Sequence, residues 1–166
     1  MINDDIVSLY AFNRWADRKV LQACRSLSQE QYLAEPVPGW SSVSSTILHI
    51  TMVTDAWLRG LTGEVIERFL TEAEVATIDD ADRCLDAAYE TLDRLPIGSP
   101  EWLNTPMTLR GRGRSLVLPP WAILRHVVNH SSYHRGQVAS KLKRFGIEQP
   151  ATDLLFWAIE QSAPQG

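Results

Sequence analysis

The sequence predicts an all-α protein, an antiparallel four-helix bundle that forms a single domain over residues 1–166. Four segments repeat apolar residues every three or four positions, the spacing of a helix with one buried face. Prolines and glycines interrupt the chain between these segments, which predicts loops there. The chain has 166 residues, 45% of them hydrophobic and 22% charged, enough for a sizeable core. A short hairpin-like insertion before the last long helix and a short C-terminal helix complete the prediction.

The first helix is predicted over residues 4–27. Its charged residues Asp17, Arg18 and Lys19 are assigned to the outer face. Asn13 is a polar residue on the apolar stripe, and two interpretations stay open: a buried amide bonded to a neighbouring helix, or part of a polar pocket. Residues 27–32 indicate a break with a short turn. The apolar positions of the stripe are Ile6, Leu9, Ala16, Val20, Cys24 and Leu27.

The second helix is predicted to begin at Ser41 or Ser42, since either can cap it, and to run to about Leu61. The prolines and glycine of residues 36–39 form the loop before it. His49 lies roughly 110° from the centre of the apolar seam. It can therefore turn toward a neighbouring helix or toward water. The seam consists of Ile47, Ile50, Thr54, Trp57 and Leu61.

The middle of the chain is less regular. Residues 64–78 are charged and weakly patterned, and a third helix is predicted from Asp79-Asp80 to Leu95, ended by Pro96. Residues 100–120 are predicted to be non-helical, with extended runs at 103–109 and 115–118 around an Arg-Gly-Arg-Gly-Arg turn. This turn is interpreted as a solvated hairpin tip. Segments that bind nucleic acid interleave aromatic residues with their arginines, and this turn has none.

The fourth helix is predicted to start at Pro119-Pro120 and to reach Arg144, where Gly146 suits its C-terminal cap. After Pro150, Thr152-Asp153 can cap a short final helix, residues 154–161, that packs as a lid or tail. The seam of the fourth helix consists of Leu124, Val127, Ser131, Val138, Leu142 and Phe145.

Three of the four histidines, His126, His130 and His134, recur every fourth residue on this last long helix. They lie roughly 130°, 90° and 50° from the centre of its seam, so they turn progressively into the bundle. The ladder rises about 12 Å, and only two neighbours can share one ion. Either pair is possible, and the angles favour the lower one. His49 is the remaining histidine for a third ligand, and three neutral imidazoles with an open position suit a catalytic Zn, Ni, Co or Fe site.

These residues resemble the DinB family of metal-binding four-helix bundles. The specific part is His126-x-x-x-His130-Ser131-x-Tyr133-His134-Arg135-Gly136-Gln137, together with Leu48-His49-Ile50 in the second helix. Phe12-Asn13-Arg14-Trp15-Ala16-Asp17 is similar to the family's first-helix signature, and Thr152-Asp153 with the apolar run after it is similar to its ending.

The resemblance implies a divalent metal, nickel or zinc, on His49, His130 and His134, and a homodimer. His126 would be a pocket residue one turn above. The family is similar to thiol transferases that include YfiT-like proteins, mycothiol-dependent maleylpyruvate isomerases and bacillithiol transferases. This implies a metal-dependent enzyme that activates a low-molecular-weight thiol toward a small-molecule substrate.

Four polar residues are candidates for the chemistry around such a metal. His126, Tyr133 and Arg135 are candidate catalytic residues, and Asn13 and Arg135 are candidates for binding the cofactor. The alternatives are that Arg135 is an exposed salt-bridge partner and that Tyr133 is a packed ring whose hydroxyl reaches a neighbouring helix.

Two other functions remain open at this point. The same site could hold hydroxide and act as a metal-dependent hydrolase, or the protein could be a non-catalytic, stress-related dimer that binds metal or a small ligand. The formal net charge of −4 gives no reason to expect nucleic acid or an anionic membrane as partner. Without an apparent signal peptide or membrane span, the expected location is the cytoplasm.

Overall fold

The computed structural model describes residues 2–163, with side chains from residue 5 onward, and it confirms the all-α class. The ends of the predicted domain, residue 1 and residues 164–166, lie outside this range. The elements in that part of the chain are α1 Ile2–Cys24, α2 Gln29–Leu33, α3 Val43–Leu61, α4 Ile78–Asp93, α5 Pro100–Asn104, β1 Met107–Gly111, β2 Arg114–Leu118, α6 Pro120–Arg144 and α7 Leu154–Ser162.

The four long helices form the predicted bundle, in which α1 and α3 each contact both α4 and α6. The antiparallel pairs are α1 with α4 and α3 with α6. Along α1, Arg18 pairs with Asp86 of α4 at 2.8 Å. Arg25, two turns further on and just past the end of α1, pairs with Asp79, which comes earlier in α4. The two helices therefore run in opposite directions.

Helices α1 and α6 run in the same direction. Tyr10 near the start of α1 donates a hydrogen bond to the carbonyl of Leu124, at 3.0 Å, near the start of α6. Asp17, two turns later in α1, meets Arg135 in the second half of α6. The connection between α4 and α6, residues 94–119, is the longest of the three between the long helices, and α6 returns beside α1.

Local sequence explains where the long helices begin and end. Ser42 caps α3 by accepting from the amide of Ser45 at 3.0 Å, as predicted. Thr77 and Asp80 form a reciprocal capping box that starts α4, one residue before the predicted Asp79. Pro120 stands in the first turn of α6, and Gly146 follows its end with φ of 74°, a conformation that glycine adopts without strain.

Two predictions about short segments were wrong. Residues 100–104, predicted as non-helical, form α5, which Ser99 caps and which the fully buried Leu103 anchors to the core. Residues 29–33, predicted as a turn, form α2, which starts with a capping box between Ser28 and Gln31. Helix α1 also ends three residues before its predicted end, at Cys24.

The predicted hairpin is confirmed with shifted strands. β1 and β2 pair antiparallel, with Gly111 opposite Arg114. The two residues between them, Arg112 and Gly113, both have positive φ, 49° and 72°. Two such residues form the tight turn that matches the twist of paired strands. The arginine-rich segment is therefore a hairpin tip.

Helix α7 lies along α1. The ring of Trp157 packs edge-on against Phe12 with centroids 6.2 Å apart. Glu160 accepts hydrogen bonds from Trp15 at 2.7 Å and from Lys19 at 2.5 Å. The predicted C-terminal helix is thus confirmed, and these contacts tie it to the outside of the bundle.

The hydrophobic core lies between the four long helices. Within residues 2–163, no helix is both long enough and apolar enough to cross a bilayer. Most of the predicted seam positions are buried, and the core includes Ile6, Ala16, Val20, Ile47, Ile50, Leu61, Leu85, Ala88, Leu92, Leu124, Val127, Val138 and Leu142.

Candidate metal centre

Three imidazoles from two helices meet at one point on the side of the bundle. His49 comes from α3, and His130 and His134 come from successive turns of α6. One nitrogen of each ring lies within 4.8 Å of the others. The Nε2 atoms of His49 and His130 are 3.1 Å apart. This arrangement confirms that the three predicted ligands are brought together.

The packing of α3 against α6 determines this meeting. The flanking residues Ile47, Ile50 and Val127 are buried in the core, which fixes how each helix is rotated about its axis. His49 and His130 lie beside these seams and are half-buried, so their rings project along the edge of the helix interface. Because α3 and α6 are antiparallel, His49 faces the two α6 histidines from across the groove.

Two histidines of the cluster, His130 and His49, are shifted toward the neutral form. Burial, followed by the neighbouring imidazoles, lowers the pKa of His130 to about 4. Burial and then His134 lower the pKa of His49 as well. A lowered pKa means that the unprotonated form persists at physiological pH. Unprotonated imidazole is the form that binds metals.

Gln137 fixes the orientation of one ring. Its Oε1 lies 2.8 Å from Nδ1 of His134, one turn earlier on α6. An amide oxygen only accepts, so Nδ1 of His134 carries the proton and its Nε2 presents a lone pair. Hydrogen bonds of this kind typically orient histidines that bind metals.

The donor set fits a divalent metal ion. An ion at about 2.0–2.1 Å from each of several imidazole nitrogens places those nitrogens roughly 3–3.4 Å apart. The 3.1 Å between His49 and His130 meets this requirement. Without an ion, one Nε2–H can donate to the other Nε2 at this distance, and a shared cation would take the place of that proton. In addition, Nδ1 of His130 is buried with no hydrogen-bond partner among the described residues.

His126 and Tyr133 border the cluster. His126 is exposed, and its ring stands edge-on to Trp57 at 5.8 Å and 5.7 Å from that of His130. It is absent from the set of converging ligand atoms. Tyr133 is 65% exposed, with its ring 5.0 Å from that of His134. The alternative of a packed Tyr133 ring is therefore not what the structure shows.

Arg135 points away from the cluster into the bundle. It is 2% exposed, and its Nη1 donates to Asp17 at 2.7 Å and to Asn13 at 2.6 Å. Its Nη2 donates to the hydroxyl of Ser132 at 2.8 Å. The alternative of an exposed salt-bridge partner for Arg135 is wrong, because the ion pair that it forms is buried.

The assignment of Asp17 to the outer face of α1 was also wrong. Asp17 is 4% exposed and accepts a hydrogen bond from Tyr89 of α4 in addition to that from Arg135. Asn13 donates to the same Tyr89 hydroxyl at 2.8 Å, so it is the buried interhelical amide of the first interpretation. Burial and the charge of Asp17 raise the pKa of Tyr89. One polar network thus joins α1, α4 and α6.

Comparisons with known proteins agree with this fold. The chain matches the model of the DinB family over residues 1–164. It is 24% identical over 159 residues to Protein DinB of Bacillus subtilis strain 168, an alignment that covers 92% of each chain.

Two solved structures share the fold. A DinB-like protein from Bacillus cereus ATCC 10987 superposes with a TM-score of 0.66 at 21% identity, covering 89% of this chain and 95% of that one. A DinB-family candidate from Exiguobacterium sibiricum 255-15 gives a TM-score of 0.60 at 16% identity, covering 87% and 92%.

Proposed function

Because the chain belongs to the DinB family, we propose that it is a metal-dependent enzyme that activates a low-molecular-weight thiol, with nickel or zinc as the metal. The observation that carries the proposal is the convergence of three imidazoles, with nitrogens within 4.8 Å of one another. Among the described residues the cluster contains only these three ligands, so a tetrahedral ion would keep one position for an exogenous ligand.

A divalent ion at such a site lowers the pKa of a bound thiol or water and supplies a nucleophile at neutral pH. The side chains of the protein supply the rest. Gln137 holds His134 in the tautomer that leaves Nε2 free. His126 and Tyr133 border the cluster and are open to solvent, so we propose them as the groups that exchange protons with a bound substrate.

Arg135 and Asn13 stay predictions as residues that contact a cofactor. Their burial and their bonds to each other favour another role, which is to hold α6 against α1. A residue with this role acts on the site only through the position of its helix.

The same open position could hold hydroxide, which would make the protein a metal-dependent hydrolase. Adding a small thiol distinguishes the thiol-activating function from hydrolysis. In protein loaded with Co²⁺, thiolate coordination adds a sulfur-to-metal charge-transfer band, whereas a water ligand does not. A small thiol is expected to produce this band, and a chlorinated aromatic acceptor then tests transfer. Ester hydrolysis without the band would contradict the thiol proposal.

The metal site itself is tested by a pair of histidine variants. His130→Ala removes a nitrogen that lies 3.1 Å from His49, and stoichiometric metal is expected to disappear in elemental analysis of untagged protein. His126→Ala is the matched control, since His126 is one turn away on the same helix and outside the ligand set. It is expected to retain nearly all the metal. Full retention by His130→Ala would contradict the site.

We also propose a homodimer. Helix α7 has no buried residue among its described positions 154–162, and it exposes a run of large apolar side chains. Leu155 and Ile159, one turn apart, are 66% and 57% exposed. Exposed apolar faces of this kind are often covered by another chain. Light scattering after gel filtration measures the mass, and a monomer at micromolar concentration would contradict the proposal.

A further inference from the structure

A cavity of about 500 Å³ lies beside the histidine cluster, where α6 faces the start of α3. Two of the residues that line it, Tyr133 and Gln137, also contact His134 of the cluster. Gln137 bonds His134, and the ring of Tyr133 stands edge-on to that of His134. The residues that line the cavity include Trp40, Ser41, Tyr133, Gln137, Ser140 and Lys141.

Lys141 brings a positive charge to this cavity. It is 3% exposed, and its ammonium donates to Ser41 Oγ at 2.8 Å, to the carbonyl of Ser42 at 3.1 Å and to Thr46 Oγ1. All three acceptors are neutral, and Lys141 forms no ion pair with any carboxylate in the described part of the chain. Its hydrogen bonds are satisfied, but its charge is unmatched, which is unusual for a buried ammonium.

The walls of the cavity suit a flat organic molecule. Trp40 is 41% exposed and Tyr133 is 65% exposed, so both rings present surface to a ligand. The guanidinium of Arg144 lies 5.9 Å from the ring of Trp40 and adds a second positive charge nearby. None of the described lining residues is acidic, although the chain as a whole has a net charge of −4.

We propose that this cavity binds the anionic end of a small aromatic or similarly flat organic ligand, whose other end reaches the histidine cluster. His134 and Lys141 are two turns apart on α6, a rise of about 10 Å, which is the length of a small substrate or thiol. This proposal rests on the proposed function in one respect only, the identity of the end of the ligand that reaches the metal. The anion subsite itself requires no metal and no thiol.

The test compares benzoate with benzamide, two probes of the same shape that differ in charge. Each is titrated into metal-free, ¹⁵N-labelled protein, so that no open metal position can take the carboxylate, while NMR follows the Gln137 side-chain amide and the Trp40 indole. Benzoate is expected to shift both signals and to bind roughly tenfold more tightly than benzamide, since the unmatched charge of Lys141 attracts a carboxylate and not a neutral amide. Equal affinities, or shifts confined to other parts of the molecule, would overturn the proposal.

Variants assign the preference to this cavity. Lys141→Met removes the buried charge and is expected to abolish the preference for benzoate. Ser140→Asp places a carboxylate on an exposed position of the lining, where folding is little affected, and is expected to weaken benzoate about tenfold without changing benzamide. Ser115→Asp, an equally exposed change on the hairpin, is the matched control and should alter neither. A Ser140→Asp protein that still prefers benzoate would refute the subsite even if Lys141→Met fails to fold.

The outcomes separate this inference from the proposed function. Benzoate carries no thiol, so its binding is independent of any cobalt–thiolate band. A protein that binds benzoate as described but never shows that band retains the anion subsite and loses the thiol-activating function. A protein that shows the band but binds benzoate and benzamide equally would retain the thiol function and lose the anion subsite.

Discussion

At His134 a single hydrogen bond determines which ring nitrogen faces the cluster. The imidazole has two nitrogens, and Nδ1 is bound to Gln137 Oε1 at 2.8 Å, which leaves Nε2 for the cluster. No described residue bonds Nδ1 of the neighbouring His130. The two α6 histidines of the cluster therefore differ: His134 has a polar partner at Nδ1, whereas His130 has none there among the described residues.

This difference predicts the effect of Gln137→Leu. The substitution keeps the size of the side chain and removes the acceptor, so His134 can rotate or change tautomer. Metal affinity is expected to fall about 10–100-fold, the usual effect of losing such a partner. Competition with a chromophoric chelator measures it.

Two further variants control for helix effects. Gln137→Glu keeps an acceptor oxygen and should retain most of the affinity. Gln22→Leu, on an exposed position of α1, should have no effect. If Gln137→Leu bound metal as tightly as the parent, the orienting role of Gln137 would be refuted.

At the scale of elements, the buried pair of Asp17 and Arg135 determines how α6 sits against α1. Both side chains are almost fully buried, and Tyr89 of α4 completes their hydrogen bonds. Removing one partner of a buried ion pair leaves the other charge unmatched in the core, whereas replacing both with apolar residues often restores stability.

Arg135→Met is therefore expected to lower the free energy of unfolding by about 3–5 kcal/mol. The double variant Arg135→Met/Asp17→Leu should regain a large part of this loss. Denaturant unfolding, read by circular dichroism, measures both. If the double variant were as unstable as the single one, the unpaired charge would not explain the loss. The hydrogen bonds of the network would then themselves contribute to the free energy of unfolding. A single variant of parental stability would refute the pair's role.

The sequence predicted the long elements well because their signals are local. The seam spacing of α3 and α6 and the caps at Ser42 and Gly146 each involve residues within a few positions of one another. The pairing of His130 with His134 was predictable for the same reason, since they lie one turn apart. His49 joined them because it is the one histidine left and because of the family resemblance, since an angle on one helix does not reveal which neighbour it faces.

The errors came from partners far away in sequence. Asp17 looked like a solvent-facing charge, since its partner Arg135 lies 118 residues later. Helix α5 has five residues, too few for a periodic pattern, and exists because Leu103 is buried against the bundle. The role of Lys141 was missed likewise: in the sequence it is one of several cations at a helix end, and only its three oxygen partners on the segment that starts α3 distinguish it.

For the molecule as a whole, the site and the core are separate. The core residues lie between the helices, whereas the histidine cluster is half-buried at the edge of the α3–α6 groove. The bundle therefore buries its apolar seams whether or not an ion is bound, unlike small domains whose folding requires a metal.

Removing the metal with a chelator is accordingly expected to leave most of the helical circular-dichroism signal. Adding the metal back should raise the melting temperature, because an ion that binds only the folded state stabilises it by mass action, about 2.7 kcal/mol at a hundredfold excess over Kd. His130→Ala provides the control, since it should melt at one temperature with or without metal. A metal-free chain that lost its helical signal would show that the ion is structural. Metal binding at the half-buried cluster would then be required for the bundle to fold.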